Sequence, residues 1–262
     1  MDMGLTGKRA LVLASSRGLG LGIAEALAAE GCEVLMCGRS TDRLSALAET
    51  ITARGAGRAR CTTVDLTDPA SVDHLVDEAQ RLLGGVDILV NNTGGPPPGR
   101  MVDADMGVLA AQFDTMALRL MTLTQRLLPG MRERGWGRVL TVASSGVVQP
   151  IPTLGLSNAI RSTLVGWSKS LANDVAADGV TVNMLLPGRI HTERVDELDA
   201  AASQRTGQDI EAVRTAARAA IPVGRYGTAE EFGAVACMLL SGPASYVTGS
   251  VVRCDGGAIA SV

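Results

Sequence analysis

The chain has 262 residues, 46% of them hydrophobic, with a formal net charge of −3. That length supports one large core or two small ones, and the mild, interspersed charge leaves no electrostatic footprint for nucleic acid. No run of about 18 apolar residues occurs, which argues against a membrane span, and the apolar stretch Ala10 to Ala14 is too short for a signal peptide, so a cytoplasmic protein is expected.

Short β-like apolar runs alternate with longer helical ones. Arg9 to Ala14 (RALVLA) reads as a buried strand and Leu19 to Glu30 as a helix ended by Gly31. Glu33 to Cys37 is a second strand, followed by a helix over Asp42 to Arg54 with Leu44, Leu47, Ala48 and Ile51 on one face. Asp68 and Pro69 are expected as N-cap and first-turn residue of a helix whose apolar stripe runs through Val72, Leu75, Val76, Ala79, Leu82 and Leu83. Val86 to Val90, Arg138 to Ala143 and Val180 to Leu186 are the fourth, fifth and sixth strands. A long helix marked by Ile160, Leu164, Trp167 and Leu171 separates the last two. Glu193 to Ala220, alternately charged and alanine-rich, reads as a helical flap, and Thr228 with Glu231 as a capping box before a final helix. Five scattered cysteines without CxxC spacing read as reduced thiols, and no metal site is expected.

No linker divides this pattern, so residues 1–262 are expected to form a single domain of α/β class: a Rossmann-type, doubly wound parallel sheet with helices on both faces. Ligands of such sheets bind beyond the carboxyl ends of the strands, which directs attention to the segments beginning at Ala14, Cys37, Val64, Val90, Ala143 and Leu186. After the first strand comes Ala14-Ser15-Ser16-Arg17-Gly18-Leu19-Gly20, opening a helix. Glycines there let the backbone approach a pyrophosphate seated on the helix N-terminus; a purely structural glycine turn would look the same. Asp65 with Leu66, Asn91-Asn92-Thr93-Gly94 and Pro187-Gly188-Arg189-Ile190-His191-Thr192 also stand at strand ends.

These motifs, in this order, resemble those of the short-chain dehydrogenase/reductase family over nearly the whole chain. The family's Thr-Gly-x-x-x-Gly-x-Gly falls on Leu13 to Gly20, departing at Leu13 and Ala14; its Asn-Asn-Ala-Gly is Asn91 to Gly94, changed at Thr93. Its Pro-Gly-x-Ile-x-Thr, which holds the nicotinamide carboxamide, matches at Pro187, Gly188, Ile190 and Thr192, and Gly249 with Asp255-Gly256-Gly257 is similar to its closing strand region. The resemblance implies a dinucleotide held by Ser16, Arg17, Gly18, Leu19, Gly20, Arg39, Asp65, Leu66, Asn91, Gly94 and the Pro187–Thr192 segment. Where an NAD-specific site carries an acidic residue after the second strand, this chain has Gly38-Arg39-Ser40. With Arg17 in the glycine loop, two guanidinium groups favour NADP over NAD. Arg39 as a helix cap or a solvated side chain, and Asp65 as a turn cap rather than an adenine ligand, are the alternatives.

The family's reaction uses an Asn, Ser, Tyr, Lys tetrad, and this chain departs from it. Ser144 matches the serine, which polarises the substrate carbonyl. The register set by Arg161 through Ala172 puts Ser157 at the tyrosine site, Arg161 at the lysine site, and Met116 or Ala117 at the asparagine site. A phenol starts near pKa ~10 and a cation can lower it, whereas a serine hydroxyl is a far weaker acid. An arginine stays charged and does not readily lend a proton. Ser157 and Arg161 share a helix face, so they either look into the cleft or form a plain polar face. His191 is the one nearby group of near-neutral titration, as a substitute donor or a solvent-facing loop residue.

Among its relatives the chain resembles a divergent branch near the 3-oxoacyl-acyl-carrier-protein reductases. That implies a small-molecule carbonyl or alcohol substrate, with Ser144, Ser157 and Arg161 as the catalytic set, and a homodimer or homotetramer. A catalytically silent nucleotide-binding subunit is the alternative, and a scaffold without nucleotide a third, resting on Leu13 and Ala14.

Overall fold

A computed structural model describes residues 2–261. Its seven strands are β1 (Arg9–Val12), β2 (Glu33–Gly38), β3 (Arg58–Thr63), β4 (Ile88–Asn91), β5 (Gly137–Val142), β6 (Val180–Pro187) and β7 (Val251–Cys254). They form one parallel sheet in the order β3-β2-β1-β4-β5-β6-β7. The inner strands are buried on both faces, hence their nearly unbroken Val/Ile/Leu/Met sequences. The two edge strands read RARCTT and VVRC and alternate in exposure, which is why neither stands out as an apolar run.

Helices α1 (Gly18–Ala29), α2 (Thr41–Ala53) and α9 (Ala229–Leu240) cover one face; α3 (Ser71–Leu83), α5 (Arg119–Glu133) and α6 (Gly155–Val175) cover the other. Successive sheet residues alternate between the layers: Val12, Val34, Val90 and Leu140 pack with Ile23, Leu27, Leu44 and Phe232, whereas Leu11, Leu35, Leu89 and Val139 pack with Leu75, Leu120, Ile160 and Leu164. Helices α1 and α9 touch through their backbones. A Cβ on Gly22 would lie 2.4 Å from Ala229 O, and one on Gly233 2.4 Å from Gly22 O.

The expected helix start at Asp68 and Pro69 is corrected. Asp68 N bonds Asp65 O and Asp68 Oδ1 accepts Ala70 N, so these residues close a turn and α3 begins at Ser71. Helix α1 does end at Gly31, whose φ of +85° only glycine adopts readily, with Cys32 N returning to Leu27 O. The Thr228–Glu231 capping box forms in both directions. The flap region folds as α7 (Glu193–Thr206) and α8 (Ile210–Ala219). Between α4 (Met106–Phe113) and α5 the helix widens into a π-turn over Asp114–Leu118, carrying Met116 and Ala117 inward. All five cysteines are free thiols. No helix among the described residues is long and apolar enough to cross a membrane.

Candidate active site

Strand order reverses beside β1, where the chain leaves toward β2 on one side and β4 on the other, opening a crevice at the carboxyl ends. The loop after β1 turns sharply: Ala14 has φ +47°, the one non-glycine in the left-handed region among the described residues, and Gly18 has φ +57°. Gly20 must lack a side chain, because a Cβ there would lie 2.4 Å from Ala14 O. The buried Asn92 amide steadies the turn by reaching Leu13 O at 3.3 Å and Ala14 O at 3.4 Å. Arg17 precedes α1 and offers no acceptor to cap it, so the N–H groups of Gly18, Leu19 and Gly20 are left for an anion. Thr192 closes the loop from the other side; a Cβ on Gly18 would touch its Cγ2 at 3.5 Å.

This cradle fits a dinucleotide: a backbone-only turn, an uncapped helix start and cationic side chains. Ser16 stands over the end of β2, its Oγ 3.2 Å from where a Gly38 Cβ would be. Arg39 is exposed with no ion-pair partner among the described residues, whereas Arg17 and Arg43 both bind Glu193, the first residue of α7. Hydrogen bonds from Thr67 hold the Asp65 carboxyl below the usual range, with the Arg39 charge adding to them. Both Thr67 bonds are 2.9 Å, the geometry of a turn cap, with the other carboxylate oxygen outside that turn. Leu66 packs onto the core beneath. Asn91 is fully buried and gives its amide to Thr124 Oγ1 at 3.0 Å, so it ties β4 to α5. Gly94 is exposed and a Cβ there would meet nothing, leaving bare backbone along the cleft.

Ser144 follows β5, and its Oγ accepts Gly146 N–H at 3.0 Å, which keeps its own proton available. Ser157 and Arg161 are both buried on the same face of α6. Arg161 donates to Val142 O at 3.0 Å and to Thr93 O and Gly94 O at 3.3 Å, clamping the end of β5 to the loop after β4. Burial, with the Arg194 charge behind it, pulls this guanidinium down to about 10. It has no carboxylate partner among the described residues. His191 is two-thirds exposed beside Asp196, 3.6 Å from it, as expected of a solvent-facing loop residue.

Pro187 ends β6. Gly188 lies so close to Asp255 that a Cβ would come within 2.6 Å of its Cα, and buried Ile190 bridges to Gly227. The flap is bolted to this segment by Asp199, fully buried in α7, which receives Arg189 at 2.5 Å and the Tyr226 hydroxyl at 2.8 Å. Sequence reasoning did not single out Arg43, Glu193 or Asp199. Residues 193–220 read only as a helical flap, and the partners that give Glu193 and Asp199 their roles, Arg17, Arg43, Arg189 and Tyr226, lie outside it.

A family profile described as Enoyl-(Acyl carrier protein) reductase matches residues 13–258. The chain belongs to the short-chain dehydrogenase/reductase family. It is 34% identical over 260 residues to the 3-oxoacyl-[acyl-carrier-protein] reductase FabG of Escherichia coli, covering 97% of this chain and 98% of that one. It is 35% identical over 266 residues to the D-beta-hydroxybutyrate dehydrogenase of Cupriavidus necator, covering 98% and 99%. The crystal structure of L-sorbose reductase from Gluconobacter frateurii, complexed with NADPH and L-sorbose, superposes with a TM-score of 0.94 at 32% identity over the full length of both chains. As a short-chain dehydrogenase/reductase the protein is an oxidoreductase of the type that acts on ketones and secondary alcohols.

Proposed function

We propose that this chain interconverts a ketone and a secondary alcohol with NADP, on a small-molecule substrate that includes 3-oxoacyl-like carbonyls. The observation that carries the reading is Ser144: its hydroxyl is fixed by Gly146 N–H and stands at the end of β5 with its proton free for a substrate oxygen. The uncapped start of α1 and the arginines at positions 17, 39 and 43 suit a dinucleotide with a 2′-phosphate. The relatives named for 3-oxoacyl and hydroxybutyrate chemistry, and the neighbour solved with NADPH, support the same direction.

When bound, NADPH supplies the hydride. Ser144 donates a hydrogen bond to the carbonyl oxygen as negative charge grows there. Arg161 holds the cleft floor through Val142, Thr93 and Gly94, and its positive charge favours the developing oxyanion without releasing a proton. Solvent delivers the proton at the Ser144 and Ser157 hydroxyls, in place of a phenol. Segment 193–220 acts as the substrate flap of a single domain spanning 1–262. The protein works in the cytoplasm as a homodimer or homotetramer; the exposed apolar side chain of Val251 on edge strand β7 supports self-association.

The test is a fluorescence titration with NADPH and NADH, followed by turnover across a ketone panel. NADPH binds more tightly than NADH, and Ser144→Ala lowers turnover at least ~10-fold. Full activity in that variant removes Ser144 from the chemistry. NADPH binding without turnover on any carbonyl identifies a silent nucleotide-binding subunit instead.

A further inference from the structure

Two of the three arginines suited to a 2′-phosphate already share a counter-ion, and it comes from the flap. Arg17 Nη1 meets Glu193 Oε2, and Arg43 Nη2 meets Glu193 Oε1 at 2.9 Å, so one carboxylate takes both cations on opposite oxygens. Arg17 lies in the loop after β1, Arg43 in the first turn of α2 after β2, and Glu193 directly after Thr192 at the start of α7. The bridge therefore joins three strand-end loops across the cofactor groove. All three side chains are about half exposed, at 50%, 48% and 48%, so the pairs are solvent-screened and exchangeable. Two guanidinium groups on one carboxylate, with Arg39 unpaired nearby, leave an excess of positive charge that a dianionic phosphate matches better than a monoanionic carboxylate.

We propose that Glu193 is an exchangeable counter-ion: it occupies Arg17 and Arg43, and a phosphomonoester takes its place, unlatching the start of α7. The inference rests on the NADP reading above. Every ligand that needs these arginines must displace Glu193, while a ligand that lacks the 2′-phosphate leaves the bridge intact. Glu193 thus tunes both affinity for the phosphorylated cofactor and the discrimination between the two nicotinamide dinucleotides. The exchange also couples the adenosine end of the groove to the flap, because Glu193 is the first residue of the flap helix. Neighbouring Arg194 stays with the cleft, held by Glu197 and Pro96 O.

The full chain and its Glu193→Gln variant are titrated with NADPH, 2′,5′-ADP and NADH, and amide exchange is followed over residues 193–199. The variant binds NADPH and 2′,5′-ADP about 2- to 10-fold more tightly at low salt, the gain shrinks near ~0.5 M salt, and NADH affinity is unchanged. In the wild-type chain 2′,5′-ADP speeds exchange over residues 193–199, which is already fast in the variant. Unchanged or weaker NADPH binding in the variant, or a parallel change for NADH, overturns the counter-ion role while leaving the NADP reading standing. A wild-type chain that binds neither NADPH nor 2′,5′-ADP overturns both.

Discussion

Replacing Arg161 by methionine sets two opposed effects against each other. The side chain is buried without a carboxylate partner among the described residues, and its guanidinium is drawn down to about 10. Set against an ordinary value above about 12, that corresponds to about 3 kcal/mol against keeping the cation in the fold. Opposing this are its bonds to Val142 O at 3.0 Å and to Thr93 O and Gly94 O at 3.3 Å. A hydrogen bond to a charged group contributes about 1.5–3 kcal/mol, and the two longer ones sit at the weak end, so the clamp returns about 3 kcal/mol. Methionine fills similar volume, relieves the desolvation and loses the clamp. Arg161→Met is therefore expected to lie within about 1 kcal/mol of wild type, a Tm change of no more than about 4 °C. Turnover, which depends on the positioned floor and on the charge, falls at least ~10-fold. A cation with a lowered folded pKa is penalised fully below that value and relieved only above it, so the Tm difference is flat from about pH 6 to 9. Thermal melts and steady-state rates decide the matter. A Tm loss beyond about 10 °C would show that the carbonyl clamp dominates and refute the cancellation.

Two further outcomes follow from the same structure. Ala14→Gly removes a left-handed alanine, about 1–2 kcal/mol of strain, against about 0.4–1 kcal/mol for a more flexible unfolded chain; Tm rises by about 1–3 °C, and a fall contradicts the strain. Asp87 receives Arg9 at 2.7 and 2.8 Å and Arg134 at 2.9 Å, so Asp87→Asn lowers stability by about 2–4 kcal/mol, read by urea melts. Burial pushes this carboxyl up, but the Arg9 bonds and the two charges outweigh it and hold it low. Its contribution is thus complete above about pH 4 and lost as pH falls through the folded value, so wild type and variant converge in acid.

The alternation of apolar strand runs with 3.6-period helices was legible because the inner strands are buried on both faces and confine charge to their opening residues, at Arg9, Glu33 and Arg138. The edge strand β3 was not, because Arg58 and Arg60 point to solvent. Glycine loop, Asn91 to Gly94 and Pro187 to Thr192 were found at strand ends because backbone approach leaves a residue signature. Arg161 was placed on the right helix face, yet its carbonyl partners come from 19 and 67–68 residues away and no local pattern announces them. Arg138, buried over Trp136 and bonded to Ser241 O, is another charge that reads as surface until the strands are assembled. Glu193 was legible only as the start of the flap, because its partners lie in α2 and the glycine loop.

The glycine contact between α1 and α9 bears on how the protein reaches its working state. The helix that opens the phosphate cradle rests, backbone to backbone, on a segment roughly 210 residues further along, a separation that slows closure of the native topology. During synthesis the cradle's sequence emerges roughly 210 residues ahead of its supporting helix. Nucleotide capture by a nascent chain must then wait for α9 to dock, and a chain cut before Thr228 would keep every motif of the cradle while losing the surface that holds it in shape.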